Sequence, residues 1–198
     1  MSVDAYNNIC MVFRKLCPKL VPKPLWRVSI AQLVRMNVGE LIDLGLEIEV
    51  VEKLKSFWSS LPRDKCAICG SKGSDIDEFW DYYADGNRGI ARLVSLRSLC
   101  SSCHLAKHLG YANVTGRLEE ALKQLAKVNN LTPLDVDILL DEVYSIWRML
   151  NSITTWRIEI AKGVLPEDIR MDVENALNKL LEKRSRGKGK TLLDYKSR

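Results

Sequence analysis

Six cysteines and two histidines are the residues of this chain whose types and spacing could do chemistry. Four of the cysteines form two pairs, Cys66 with Cys69 and Cys100 with Cys103, each separated by two residues. Zinc takes four thiolate or imidazole ligands in a tetrahedron, and a CxxC turn presents two thiolates to one ion with little strain. The spacing therefore predicts a structural Zn²⁺ site with these four cysteines as its ligands.

The two remaining cysteines, Cys10 and Cys17, have neither a CxxC partner nor a nearby histidine. The favoured interpretation is that they are buried or half-buried thiols, and the alternative is a disulfide between them in a protein from a thermophile. Paired zinc-binding cysteines indicate a reducing compartment, and the first residues carry no signal-peptide or membrane-span pattern. We therefore expect a soluble cytoplasmic protein with no membrane partner.

His104 follows Cys103 directly, and His108 comes four residues later. On a helix this spacing puts both imidazoles on the same face. Such a pair suits a second metal ion, or acid–base chemistry near neutral pH. The alternative is that both histidines stabilise the last turn of a short helix or hydrogen-bond locally. The residues alone leave both interpretations open.

The 30 residues between the two cysteine pairs exceed the common zinc-ribbon spacing and must form a small structure of their own. Residues 77–83 are rich in aromatics, residues 85–89 are a strong turn signal, and residues 90–96 are again apolar, which predicts a β-hairpin. Residues 100–109 then predict a helix that Gly110 ends. The local order is strand, strand, helix.

The N-terminal part of the chain predicts an extended strut followed by helices. Two prolines within residues 21–26 fix an extended path. Ser29 is a suitable N-cap for a short helix through Met36, and residues 46–58 have apolar residues near helical spacing.

The C-terminal part is helical again. Residues 118–130 predict a helix, Thr132 and Pro133 begin another, and Pro166 opens a last one. The predicted fold class is mostly α with a small zinc-bound ββα unit, an α+β protein. The expected organisation is a helical N-terminal segment, the zinc-bound unit, a helical C-terminal segment and a mobile basic tail, over residues 1–62, 63–112, 113–182 and 183–198.

The formal charge of +5 is a mild excess that does not by itself establish nucleic-acid binding. Part of it is concentrated in the tail, where a solvated stretch that only aids solubility is an equal alternative to a phosphate-binding one. The candidate phosphate-binding residues are basic side chains of the ββα unit and the tail: Arg88, Arg92, Arg97, Lys107, Lys183, Arg184, Arg186, Lys188 and Lys190.

Residues 66–70 and 99–104 resemble the HNH nuclease family, in which a ββα-metal unit is often braced by a four-cysteine zinc site. The chain looks closer still to a subgroup of uncharacterised HNH-like proteins. That resemblance covers most of the chain except its two ends. It rests on a Pro-Lys-Pro-Leu-Trp segment, a Glu-x-Trp-x-Tyr element and later helical stretches, here residues 22–26, 78–82, 116–122 and 156–160.

The resemblance implies that His104 ligates a catalytic Mg²⁺ or Mn²⁺, with His108 assisting. Two departures stand out: Asp77 occupies the place of the family's first histidine, the general base, and Ser95 is nearest to the expected asparagine, unless Asn87 takes that role. An aspartate ligates such metals well but is a weaker base than histidine at neutral pH. Metal binding could survive where hydrolysis is lost.

Three functions follow as hypotheses. The favoured one is an HNH-like zinc protein that binds or acts on DNA or RNA with a degenerate catalytic site, and the first alternative is an active metal-dependent endonuclease. The second alternative is a zinc-stabilised adaptor with a protein partner. It is suggested by five tryptophans, Trp26, Trp58, Trp80, Trp147 and Trp156.

Overall fold

The computed structural model of the protein describes residues 15–186, and these form one three-stranded sheet and eight α-helices. The predicted class, mostly α with a small sheet, is confirmed. The strands are β1 (Asp75–Asp85), β2 (Arg88–Leu99) and β3 (Thr155–Ile160). The helices are α1 (Ile30–Arg35), α2 (Val38–Asp43), α3 (Ile48–Ser60), α4 (Ser101–Lys107), α5 (Leu109–Val114), α6 (Leu118–Asn129), α7 (Pro133–Asn151) and α8 (Glu167–Arg186). None of the helices in this part of the chain is long and apolar enough to span a membrane.

The predicted hairpin is present and longer than its aromatic and apolar runs suggested. Strands β1 and β2 pair antiparallel, from Asp75 opposite Leu99 to Asp85 opposite Arg88, and the register shifts once near Phe79. The helix that follows, α4, completes a strand–strand–helix unit in the predicted order.

The third strand was not predicted. Strand β3 lies parallel to β2 and places Trp156, Ile158 and Ile160 in the core, while the residues between them are more exposed. Gly89 pairs with Trp156, and a Cβ atom at this glycine would lie 2.6 Å from the indole ring. Only glycine allows the two strands to approach this closely at that position.

The helix predicted to end at Gly110 ends earlier. Helix α4 stops at Lys107, and His108, with φ −103° and ψ 59°, separates it from α5. The amide of His108 donates to the carbonyls of His104 and Leu105, which closes α4, and its own carbonyl accepts from Ala112, which begins the next helix. Gly110 is therefore inside α5 and does not cap anything.

Other helix ends follow the sequence signals, with two differences. Ser29 caps α1, and a capping box joins Thr132 with Asp135 at the start of α7. The proline segment, predicted to be fully extended, contains one 3₁₀ turn at Lys23–Leu25. Helix α2, capped by Asn37, was not predicted.

The predicted mobile tail is partly helical, because α8 continues through Arg186. Lys188 and Lys190 lie outside the described residues. Cys17 is half-buried and disulfide-bonded, so the favoured interpretation of a free thiol is wrong for it. Cys10 also lies outside the described residues.

The buried apolar residues of the described part of the chain form two cores. One packs α1, α2, α3 and α8 against the sheet, around Leu33, Leu54, Leu93 and Leu177. The other packs α4 to α7 together and includes two of the zinc-type cysteines, Cys66 and Cys103. The ββα unit therefore shares its apolar residues with both halves of the chain.

Glu78 joins the hairpin to α1. Its carboxylate accepts hydrogen bonds from the amides of Ala31, at 2.7 Å, and Ile30, at 3.0 Å, and from the indole of Trp80, at 3.2 Å. Burial raises the pKa of Glu78 to about 7, although the two amides oppose that shift. The Glu-x-Trp element thus caps a helix at its N-terminus, where amides lack partners within the helix.

Replacing Glu78 with alanine should lower the free energy of unfolding by about 2 kcal/mol, because two helix amides and one indole N–H lose their acceptor. Glu78→Gln should lose less, since the amide oxygen still accepts. Urea denaturation measures both. Glu119→Ala is the control, because this exposed residue pairs with the similarly exposed Lys123, and its change should stay within about 0.5 kcal/mol. Equal effects in the Glu78 and Glu119 variants would contradict the capping role.

Candidate metal centre and histidine site

The four cysteines of the CxxC pairs converge on one point. Cys66 and Cys69 lie in the loop before β1, Cys100 caps α4, and Cys103 lies in its first turn. Their four sulfurs all lie within 4.8 Å of one another, and the Cys69 and Cys100 sulfurs are 3.7 Å apart. A zinc tetrahedron with Zn–S bonds of 2.3 Å has sulfur–sulfur edges of about 3.8 Å. The cluster therefore fits one zinc ion.

The first CxxC turn is held by its own backbone and by β2. The amide of Gly70 donates to the carbonyl of Cys66 at 3.0 Å, and Gly70 has a φ of +75° that favours glycine. The amide of Ala67 donates to the carbonyl of Ser98 at 2.9 Å, which attaches the turn to the strand that leads into the second pair.

The surroundings of the sulfurs shift the thiol pKa values in both directions. The side chain of Ser71, 3.1 Å from the Cys69 sulfur, lowers the pKa of Cys69 to about 6, whereas burial raises the pKa of Cys103. The side-chain amide of Gln124 donates to the Cys103 sulfur at 3.2 Å. A bound zinc ion would hold all four as thiolates, and Gln124 would then orient one ligand from outside the metal shell.

Asp77, His104 and His108 form a second cluster beside the first. Helix α4 packs against β1, and one ligand atom from each of the three residues lies within 4.8 Å of the others. The Nε2 atom of His108 is 3.6 Å from Oδ1 of Asp77, and the two imidazoles meet edge to face with centroids 4.8 Å apart. The structure thus brings together the three residues named as candidates for catalysis.

Lys107 forms a buried ion pair with the Asp77 carboxylate of this cluster. Its ammonium donates to both oxygens of Asp77 and, at 2.9 Å, to the carbonyl of Glu78. Asp77 is 1% exposed and Lys107 is 2% exposed. Arg97 approaches the same carboxylate, with Nη2 3.4 Å from Oδ2. Lys107 was a candidate for phosphate binding, but its burial and pairing leave no exposed charge for that role.

The buried carboxylate stays ionised. Burial alone would raise the pKa of Asp77, but the neighbouring imidazole of His108 and the charge of Lys107 outweigh it and hold that pKa well below its usual range. Burial lowers the pKa of His104, as does the nearby His108. A carboxylate with so low a pKa is a poor general base at neutral pH.

Three cationic side chains lie close to the aromatic ring of Phe79, on the same side of the hairpin. The Nζ atom of Lys19 lies 3.7 Å from the ring centroid, Cζ of Arg97 lies 4.1 Å away, and Nζ of Lys107 lies 5.7 Å away. Lys19 also pairs with Asp81 at 3.1 Å. Sequence reasoning missed Lys19, because a lysine in a proline-flanked segment carries no periodic signal of burial.

The other predicted phosphate-binding residues are scattered. Arg88 is exposed at the hairpin turn, Arg92 pairs with Glu159 at 2.7 Å, and Lys183 donates to the carbonyl of Asp43. Arg184 is exposed on α8. Arg97 is the member of this set that reaches the Asp77 carboxylate of the histidine cluster while staying partly exposed, with 29% of its side chain accessible.

Neither Asn87 nor Ser95 belongs to the cluster of Asp77, His104 and His108. These are the two residues that the HNH-like resemblance offered in place of the family's asparagine. Asn87 lies in the turn at the opposite end of the hairpin from Asp77. Ser95 pairs with Phe79 on the neighbouring strand.

Comparison with protein-family models, with curated proteins and with solved structures finds no match to this chain. The structure itself shows a small ββα-like region and a cysteine cluster that can bind a metal.

Replacing Cys103 with serine should remove bound zinc and lower the free energy of unfolding by more than about 3 kcal/mol, because loss of a structural metal is among the largest single-residue effects. Elemental analysis of the purified protein should find one zinc per chain in the unchanged protein. Ser101→Ala, in the same turn, is the control and should retain the metal. If the Cys103→Ser variant retained a full equivalent of zinc, the assignment of all four cysteines as ligands would be wrong.

Replacing Lys107 with methionine should destabilise the protein by about 3 kcal/mol or more, since Asp77 is then left buried without its main partner. The double variant Asp77→Asn with Lys107→Met should lose less than the sum of the single losses, because neither charge is left alone. Urea denaturation of the four proteins completes the cycle. Strict additivity would mean that the two side chains do not interact.

Proposed function

We propose that this protein is an HNH-like zinc protein that binds nucleic acid through its ββα unit and does not cleave it. The zinc-type cysteines support this proposal because they brace a hairpin and helix in the order the HNH-like resemblance implies. The single observation that carries the loss of cleavage is the occupation of both Asp77 oxygens by the ammonium of Lys107.

A metal-dependent nuclease needs a ligand with a free lone pair and a base that can take a proton from water. At Asp77 both oxygens already accept a hydrogen bond from the ammonium of Lys107, which a metal ion would have to displace or adjoin, and the low pKa of this carboxyl makes it a weak base. The residue that replaces the family's first histidine is therefore poorly suited to either role.

Nucleic-acid binding is supported by the basic groups that remain accessible. Arg88 is exposed at the hairpin turn, and Arg97 is partly exposed and contacts Asp77, which belongs to the same cluster as His104 and His108. Arginine side chains of this kind contact phosphates and make affinity fall with salt.

An active metal-dependent endonuclease is the second candidate, favoured by the convergence of Asp77, His104 and His108 within 4.8 Å. Two imidazoles and a carboxylate are a set of ligands that binds divalent transition metals. For this function a metal would have to displace Lys107 from Asp77.

A protein-interaction adaptor loses part of its basis. Trp80 and Trp156 are buried in the core, and the indoles of Trp26 and Trp147 both donate to the carbonyl of Val21. Trp58 is half-buried and packs against the same core. These tryptophans have structural roles.

The test uses the purified full chain with labelled single-stranded and double-stranded DNA and RNA. We expect binding to at least one of them, weakening as salt rises, and no cleavage with Mg²⁺, Mn²⁺ or Ni²⁺. Metal-dependent cleavage that His104→Ala abolishes would establish the endonuclease instead. Absence of binding to all four nucleic acids at low salt would reject the proposal.

A further inference from the structure

Resting on the nucleic-acid binding proposed above, we propose that Arg97, His104 and His108 form a phosphodiester-binding site that works without a bound divalent metal. In this site the buried ammonium of Lys107 supplies the positive charge that a divalent metal ion supplies in a metal-dependent nuclease. The ligand is the backbone of a nucleic acid.

The side chains that contact the Asp77 carboxylate carry more positive than negative charge. One carboxylate faces two cations, because Lys107 donates to both of its oxygens and Arg97 lies 3.4 Å from one of them. Lys19 and Asp81 form a further pair on the same strand face and cancel each other. The group of Asp77, Lys107 and Arg97 thus carries one net positive charge.

A divalent ion at this place would face strong repulsion. It would have to share the Asp77 carboxylate with an ammonium that is itself 2% exposed. If it displaced Lys107, the hydrogen bond to the carbonyl of Glu78 would be the one left to that ammonium among those it makes within the described residues. Unpaired buried charge is strongly unfavourable.

Three side chains near the Asp77 carboxylate offer donors that solvent can reach. The side chains of Arg97, His104 and His108 are each about one third exposed, at 29%, 34% and 33%. The Nε atom of Arg97 is buried and, within the described part of the chain, has no hydrogen-bond partner. A guanidinium and two imidazoles can each offer an N–H to a phosphate oxygen.

Two neighbouring negative groups limit the affinity of the site. Asp75 is half-exposed, with an oxygen 3.9 Å from Nδ1 of His104. A zinc–tetrathiolate centre would add negative charge close to Cys103, next to His104 in the chain. A single phosphate should therefore bind weakly, and a nucleic acid that also contacts other basic side chains should bind more tightly.

The chain has two histidines, and both lie in this site. The carbon–proton NMR signals of the imidazole rings therefore report on the site and on no other part of the protein. We would titrate the zinc-loaded full chain with oligothymidylate, with inorganic phosphate and with anionic phosphatidylglycerol vesicles. A separate titration with Mn²⁺, which broadens the signals of nearby protons, would test for a metal.

The expected result is that oligothymidylate shifts both histidine signals, and that substoichiometric Mn²⁺ leaves them sharp. Broadening of both signals by Mn²⁺ would overturn the proposal in favour of a metal site. Shifts caused by free phosphate or vesicles but not by oligothymidylate would overturn the nucleic-acid ligand. If oligothymidylate binds in a gel-shift assay but leaves both signals unchanged, this site is wrong while nucleic-acid binding stands. No binding in either assay removes both proposals.

A charge variant tests the role of Arg97 independently. Arg97→Gln should weaken oligonucleotide binding severalfold and lower the slope of log affinity against log salt by about one. Arg117→Gln is the matched control, because Arg117 is half-exposed and pairs with Glu120 on α6. Zinc content and circular dichroism should show that both variants are folded. Equal affinities and slopes in the folded variants would exclude Arg97 as a phosphate contact.

Discussion

The buried ion pair between Lys107 and Asp77 connects three separate segments of the chain. Lys107 is the last residue of α4, and its ammonium reaches β1 through the carboxylate of Asp77 and the carbonyl of Glu78. Its own carbonyl accepts from the amide of Lys19 at 3.0 Å, which holds the N-terminal segment across the hairpin. Desolvation makes such a pair expensive, so its main effect is to specify one arrangement of these segments.

Helix α4 depends on both the cysteine cluster and the Lys107–Asp77 ion pair for its position. It has seven residues, and a helix of that length is not stable alone in water. The cysteine cluster holds its N-terminal end, where Cys100 and Cys103 lie, and the ion pair holds its C-terminal end at Lys107. The position of His104 follows from both, because it lies between the two fixed ends. A cysteine cluster that can bind a metal and a buried charge pair together determine where the imidazoles lie.

The sequence signals that succeeded are local ones. Cysteine spacing, the turn between β1 and β2, and the caps at Ser29 and Thr132 depend on residues within a few positions of each other. The features that were missed depend on distant partners. Strand β3 looks like a short stretch with mixed polarity until β2 lies beside it, and Lys107 looks like an ordinary surface lysine until Asp77 is packed against it. Gly110 gave a local signal that was wrong, because His108 already interrupts the helix.

Strand β3 has a further consequence for how the molecule can be divided. The zinc-type cysteines, the hairpin and α4 are contiguous in sequence, yet the outer edge of β2 is covered by residues 155–160 from the other half of the chain. A fragment that ended soon after α5 would expose the backbone hydrogen-bonding groups of β2 and leave the cleft at Gly89 without the indole that fills it. Such an edge invites pairing with other chains. The residues that carry the chemistry are thus contiguous in sequence, but the sheet beside them is complete only when β3 pairs with β2. Recombination or engineering would therefore have to move both parts of the chain together.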